Sequence, residues 1–289
     1  MDLSKYLWKD VEPVADILFP KYLIGQYVLN RDRVVKKVKD LIALQKSVFP
    51  GDHASVYLAG CRGSGKTCLQ MLLARSLKAD GYEVYFFDSA ARIPNGVSFA
   101  FESLLSDKSK KVAVLIDEVA SNPYSELFYT LLKRVNPNLV TIGTSVSLFT
   151  PTTELFKSIL RMTDLVLKKE DEDFQELVQY CVGLKATTPE LTQTICEYLL
   201  ERCGGLTFPT LTFIEHFFTR DDSKRFLVSE EVFYRYFCGP DFARSYFYES
   251  VRDRCFQHIV LDYDTKSAAF RVLGGMEKAG DISTITQLG

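Results

Sequence analysis

Val56-Tyr57-Leu58-Ala59-Gly60-Cys61-Arg62-Gly63-Ser64-Gly65-Lys66-Thr67 is the stretch that decides the fold, and the run Cys68 to Leu77 continues it. An apolar, strand-like run leads into Gly, four residues, Gly-Lys-Thr, and a helix-like run follows. In that context the pattern has a mechanism: the glycines turn tightly, and backbone N–H groups at a helix N-terminus face one anion. Gly60, Cys61, Arg62, Gly63, Ser64, Gly65, Lys66, Thr67 and Cys68 are therefore read as a phosphate cradle. The competing reading is a glycine turn that matches by chance, and the elements on both sides speak against it.

Outward from the loop, Glu83 to Phe87, Val112 to Ile116 and Leu139 to Ile142 are further short apolar runs rich in β-branched and aromatic residues, separated by intervals long enough for helices. Strand, long connection and strand in repetition expects a parallel sheet with helices on both faces, since parallel strands need crossovers. Leu165-Val166-Leu167 is the candidate fifth strand. Arg31 to Lys46 has the apolar spacing of an amphipathic helix. The expected organisation is a lead at 1–24, an α/β core at 25–169, a small helical lid at 170–219 and a C-terminal helical region at 220–289. Lys168 to Asp173 opens the lid with carboxylates that suit a helix N-terminus.

Val112-Ala113-Val114-Leu115-Ile116 delivers Asp117 and Glu118 at a strand end, the edge where open parallel sheets bind ligands. With the cradle, this gives a set of roles. Lys66 would reach the β and γ phosphates of ATP, Thr67 and Asp117 would hold Mg²⁺, and Glu118 would accept the proton of an attacking water. An ordinary acidic strand end facing solvent is the alternative for Asp117 and Glu118.

The two motifs together resemble the additional-strand, catalytic-glutamate division of P-loop ATPases, which implies a P-loop NTPase parallel sheet flanked by helices. In that resemblance Leu139 to Ser145 is the strand ending in the polar "sensor 1" residue, Thr144 first and Ser145 second, or else a cap on the next helix. Arg161, taken to end the helix before the fifth strand, stands where AAA+ ATPases place an arginine finger; a surface arginine is the other reading. Cys203-Gly204-Gly205-Leu206-Thr207-Phe208-Pro209 resembles the Gly-Gly and Pro element in the lid of AAA+ and signalling (STAND) ATPases. Ile24-Gly25-Gln26 and Asn30-Arg31-Asp32 resemble their adenine-packing segment.

The running text of residues 20 to 289 is similar to the ATPase region of Crinkler-type proteins, through Gly60 to Thr67, Tyr82 to Phe87, Val112 to Val119, Thr141-Ile142-Gly143 and Gly239-Pro240-Asp241-Phe242-Ala243. That similarity implies an ATPase with a winged-helix element. The translocation header of the family is not at the start, and no nuclease domain is expected in the residues that follow the lid. Ser267 to Gly289 resembles the first helix and the start of the second in a helix-turn-helix.

Composition bounds the rest. A chain of 289 residues at 47% hydrophobic excludes disorder and collagen, and 35 basic against 37 acidic side chains give no global field toward nucleic acid or anionic lipid. No apolar run is long enough to span a bilayer, and charges from Lys5 to Asp16 interrupt any signal-peptide core. Seven scattered cysteines read as reduced thiols inside a cell. His53, His216 and His258 lie too far apart in sequence for a zinc site, and the aromatics at 233–237 and 246–248 read as helical or interface core.

The expected activity is Mg²⁺-dependent ATP hydrolysis driving a conformational or assembly switch, with a homo-oligomer or an unknown protein as possible partner. The alternatives are a nucleotide-binding switch without turnover and a small-molecule P-loop kinase. Without a basic surplus or a recognition helix, duplex DNA should bind weakly or not at all; titration across a salt series checks this, and a salt-resistant, sequence-specific complex would contradict it.

Overall fold

The computed structural model describes residues 3–9, 29–60, 63–88, 93, 96–119, 134, 136–145, 156–181, 196–197, 199–200, 203–208 and 210, together with two short strands at 219–220 and 226–227. The chain forms two compact units, one made of Met1–Val14, Asp32–Gly60 and Lys66–Leu165, the other of Ala15–Arg31, Cys61–Gly65 and Val166–Gly289.

In the first unit, helix α1 (Asp32–Val48) precedes β1 (Ala54–Ala59), and α2 (Lys66–Ala79) leads to β2 (Glu83–Phe87). Helix α3 (Val97–Ser106), β3 (Val112–Ile116), β4 (Leu139–Ser145), β5 (Ser158–Leu160) and the short α4 (Met162–Leu165) follow. The five strands are parallel, in the order β2-β3-β4-β1-β5. Every residue of β1, β3 and β4 is buried, the expected outcome when helices cover both faces of a parallel sheet.

The period of two sorts their side chains. Val56, Leu58, Ala113, Leu115, Val140 and Ile142 pack with Val34, Val38 and Ile42 of α1 and Leu69, Leu73 and Leu77 of α2. Tyr57, Val114, Ile116 and Leu139 pack on the other face with Val97, Phe101 and Leu105 of α3. Gly143 stands on that second face opposite Tyr57, where an added Cβ would come within 2.7 Å of Phe156 and 2.9 Å of Val119.

Both ends of the sheet order are finished by specific bonds. Beside β2, Leu7 bridges Tyr85 antiparallel and the Trp8 N–H donates to the Val84 carbonyl at 2.7 Å, so the lead covers an edge strand. Near β5, the Gln45 amide of α1 serves the Ser55 backbone, accepting from its N–H at 2.8 Å and donating to its carbonyl at 3.0 Å. Gln45 takes the place of a ladder partner just before β5 begins pairing at Val56 and Ser158.

The expected fifth strand at 165–167 is corrected. The strand is Ser158–Leu160, and the next residues turn into α4 because the Asp164 carboxylate accepts the Arg161 N–H at 3.0 Å while the Arg161 carbonyl accepts the Asp164 N–H at 2.8 Å. Leu165 and Leu167 are buried, so their apolar run marked burial rather than extension. Arg161 therefore follows the fifth strand instead of preceding it.

In the second unit, α5 (Glu172–Cys181) starts with Glu172 and Asp173 in its first turn, in keeping with carboxylates at a helix N-terminus. Phe174, Leu177 and Val178 form its buried face. Thr219–Arg220 (β6) and Phe226–Leu227 (β7) pair antiparallel. Gly204 and Gly205 both have positive φ, and a Cβ on Gly205 would lie 2.7 Å from the Leu167 carbonyl oxygen, which makes the close backbone approach a glycine requirement. The expected helix-turn-helix at 267–289, the aromatic clusters at 233–237 and 246–248, and Ile24 to Gln26 lie outside the described residues. Among the described residues no helix is long and apolar enough to cross a membrane.

One buried polar side chain holds two strand ends together. Gln70, in the otherwise apolar core face of α2, donates through Nε2 to the Ile116 carbonyl at 2.9 Å and the Ile142 carbonyl at 3.3 Å. Gln70→Leu keeps helix propensity but removes both bonds, and should lower unfolding stability by about 1 kcal/mol. Chemical denaturation checks this, and an unchanged midpoint would show that the bonds contribute nothing.

Candidate functional site

The cradle grows out of β1. Gly60 extends the pairing with β4 by one step, its N–H donating to the Ser145 carbonyl at 3.2 Å, after which the chain leaves the sheet. Helix α2 begins at Lys66, so the last residues of the loop stand at a helix N-terminus. Lys66 is half-buried and its Nζ donates to the Gly60 carbonyl at 2.6 Å. Cys68 is buried in the core, consistent with a space-filling thiol. Cys61 and Arg62 lie outside the described residues.

Gly63 and Gly65 take positive φ values of 83° and 85°, a conformation that costs a glycine little. Within the second unit, the Gly63 carbonyl accepts the Phe208 N–H at 2.8 Å and the Ser64 carbonyl accepts the Thr207 hydroxyl at 3.2 Å. A Cβ on Gly65 would lie 2.9 Å from Thr207 Oγ1.

The first unit brings four sequence-predicted residues together at the C-terminal ends of β3 and β4. Asp117 is 6% exposed at the end of β3, and burial of a carboxylate requires donors. Among the described residues it has three: the Thr67 hydroxyl on Oδ2 at 2.6 Å, and on Oδ1 the Thr144 hydroxyl and the Glu118 N–H, the latter at 3.0 Å. Thr144 Oγ1 also accepts from the Glu118 N–H at 3.3 Å. Thr144 is thus the polar end of β4 that reaches Asp117, whereas Ser145 supplies its carbonyl to Gly60.

Glu118 is exposed, and its backbone is left-handed with φ 50°. For a residue other than glycine this costs about 1–2 kcal/mol. The two hydrogen bonds at its N–H hold it there, and such outliers concentrate at functional sites. Arg161 is exposed just after β5, one residue beyond the Leu58 to Leu160 pairing, at the same strand ends as Gly60. Its place after the strand removes the positional argument for an arginine finger.

A hydroxyl and a carboxylate in contact, Thr67 and Asp117, form a hard-oxygen donor pair, the type that binds Mg²⁺ with the oxygens of a phosphate ligand. The donor set fits that ion. Two contributors had no clear signal in the sequence. Gln70 is legible only as one amide in an apolar helix face, and Thr207 serves a loop residue 143 positions away.

No protein-family model and no curated protein matches the sequence. Solved structures do match. The chain is similar to a Thermotoga maritima RuvB variant at 15% identity, covering 92% of this chain and 92% of that one with a TM-score of 0.50. A second RuvB variant of the same organism is 16% identical, covering 90% and 88% with a TM-score of 0.50. At such identities the likeness is one of architecture, and with the all-parallel five-stranded sheet it gives the chain the α/β fold of P-loop NTPases, a parallel sheet flanked by helices.

Proposed function

We propose that the chain binds ATP with Mg²⁺ and hydrolyses it, the cycle driving a conformational or assembly switch. The observation that carries this reading is the hydrogen-bonded cluster of Thr67, Asp117 and Thr144, which joins two motifs identified independently in the sequence. Lys66 is the cation of the phosphate-binding motif: its bond to the Gly60 carbonyl is one that a phosphate oxygen, carrying a full charge, would replace. Thr67 and Asp117 would hold the metal, which when bound neutralises charge on the phosphates. Glu118, exposed next to Asp117, accepts the proton of the attacking water. Thr144 fixes the rotamer of Asp117 and the amide of Glu118 together.

The finer assignment, the ATPase module of a Crinkler-type protein with a core at 25–169, a lid at 170–219 and a C-terminal region at 220–289, is supported by the sequence phrases from Tyr82 to Phe87 and from Gly239 to Ala243. Arg161 has no assigned step in this scheme.

Phosphate release from ATP with no acceptor present tests the activity. Lys66→Ala should abolish nucleotide binding, whereas Glu118→Gln should keep binding and lose turnover by about 10²-fold or more. Parent-like hydrolysis by Glu118→Gln would remove Glu118 as the base. A companion outcome concerns stability: Glu118→Gly relieves the left-handed strain, so it should unfold at higher denaturant than Glu118→Gln, by about 1 kcal/mol, while being equally inactive.

A further inference from the structure

We infer that Thr207 is a positioning residue for the phosphate loop, acting through the Ser64 carbonyl and itself oriented by Arg31. The inference rests on the nucleotide-binding reading above and adds to it the group that sets the direction of the loop amides.

The bonding pattern is directional. A threonine hydroxyl has one proton to give and two lone pairs to receive with. Here the Arg31 guanidinium donates to Thr207 Oγ1 through Nη1, so the hydroxyl proton is directed elsewhere, and it goes to the Ser64 carbonyl at 3.2 Å. The next residue does the same with its backbone, the Phe208 N–H donating to the Gly63 carbonyl at 2.8 Å. Two consecutive loop carbonyls are thereby turned toward residues 207 and 208.

A peptide unit is planar and trans, with its C=O and N–H on opposite sides. Fixing the Gly63 and Ser64 carbonyls on one side fixes the Ser64 and Gly65 N–H groups on the other. Those amides belong to the set that a phosphate-binding loop offers to its anion. The glycine at 65 permits the approach, because a Cβ there would stand 2.9 Å from Thr207 Oγ1.

Arg31 is built into the arrangement rather than resting on it. It is 3% exposed, its φ is 55°, and its own N–H donates to the Asp173 carboxylate in the first turn of α5. Thr207 is fully enclosed at 2% exposure. Because the loop serves both the anion and the 207–208 segment, the two are coupled, and the coupling is reciprocal: what orders one orders the other.

The test compares Thr207→Val, which keeps shape and removes the hydroxyl, with Thr207→Ser, which restores it. With a fluorescent ADP and Mg²⁺ as the probe, Thr207→Val should bind about tenfold more weakly than the parent and Thr207→Ser within about twofold of it. Without nucleotide, Thr207→Val should unfold at a lower thermal midpoint than Thr207→Ser, because it removes the hydroxyl that the Arg31 guanidinium and the Ser64 carbonyl bond. In nucleotide-free protein, hydrogen exchange at the Phe208 amide should quicken in Thr207→Val and not in Thr207→Ser. Parent-like affinity and exchange in Thr207→Val, or a Thr207→Ser protein as weak as Thr207→Val, would overturn the assignment. A parent that binds no nucleotide overturns the functional reading instead, and the exchange comparison alone then decides the role of Thr207.

Discussion

Asp117 is the constraint on which the site depends. A carboxylate at 6% exposure needs hydrogen-bond donors, and the described residues supply them from three separate places in the chain. The Thr67 hydroxyl comes from the first turn of α2, the Thr144 hydroxyl from the end of β4 and the Glu118 N–H from the next residue. Satisfying that one side chain fixes the start of α2 and the end of β4 around β3. It also requires Glu118 to take a left-handed backbone, and the cost of that conformation is offset by the same bonds.

The sheet makes such precision possible. Strands buried on both faces have little freedom to slip, since a shift by one residue would exchange Leu115 and Val140 with Val114 and Leu139 between two different cores. Polar side chains then tie backbone at chosen points. Gln70 links the carbonyls of Ile116 and Ile142, the residues preceding Asp117 and Gly143, and Gln45 serves Ser55 at the opposite end of β1. In the second unit Gly205 follows the same economy of space, with its missing side chain admitting the Leu167 backbone.

Much of this was legible in the sequence because it is local. Glu83–Phe87 and Val112–Ile116 are strands with the bounds their apolar runs suggest, and the Gly-Lys-Thr pattern locates Thr67 without any structure. The fifth strand was misplaced because Ser158-Ile159-Leu160 is short, pairs on one side and leaves Ile159 exposed, whereas Leu165 and Leu167 have the apolar signal of a strand but sit in and beside a turn governed by Asp164. Thr144 was one of two choices, and only its bond to Asp117 separates it from Ser145. Gln70 and Thr207 act on carbonyls far along the chain, and a hydrogen bond to backbone leaves no pattern at the receiving residue.

The most direct test of the central claim is a crystal structure of the full chain with Mg²⁺ and a non-hydrolysable ATP analogue. The account predicts Mg²⁺ ligated by Thr67 Oγ1 at about 2.0–2.1 Å, with Asp117 bound to it directly or through water and the Lys66 ammonium moved from the Gly60 carbonyl to phosphate. A nucleotide bound elsewhere, or a metal with neither Thr67 nor Asp117 in its coordination sphere or hydrogen-bonded to its waters, would contradict it.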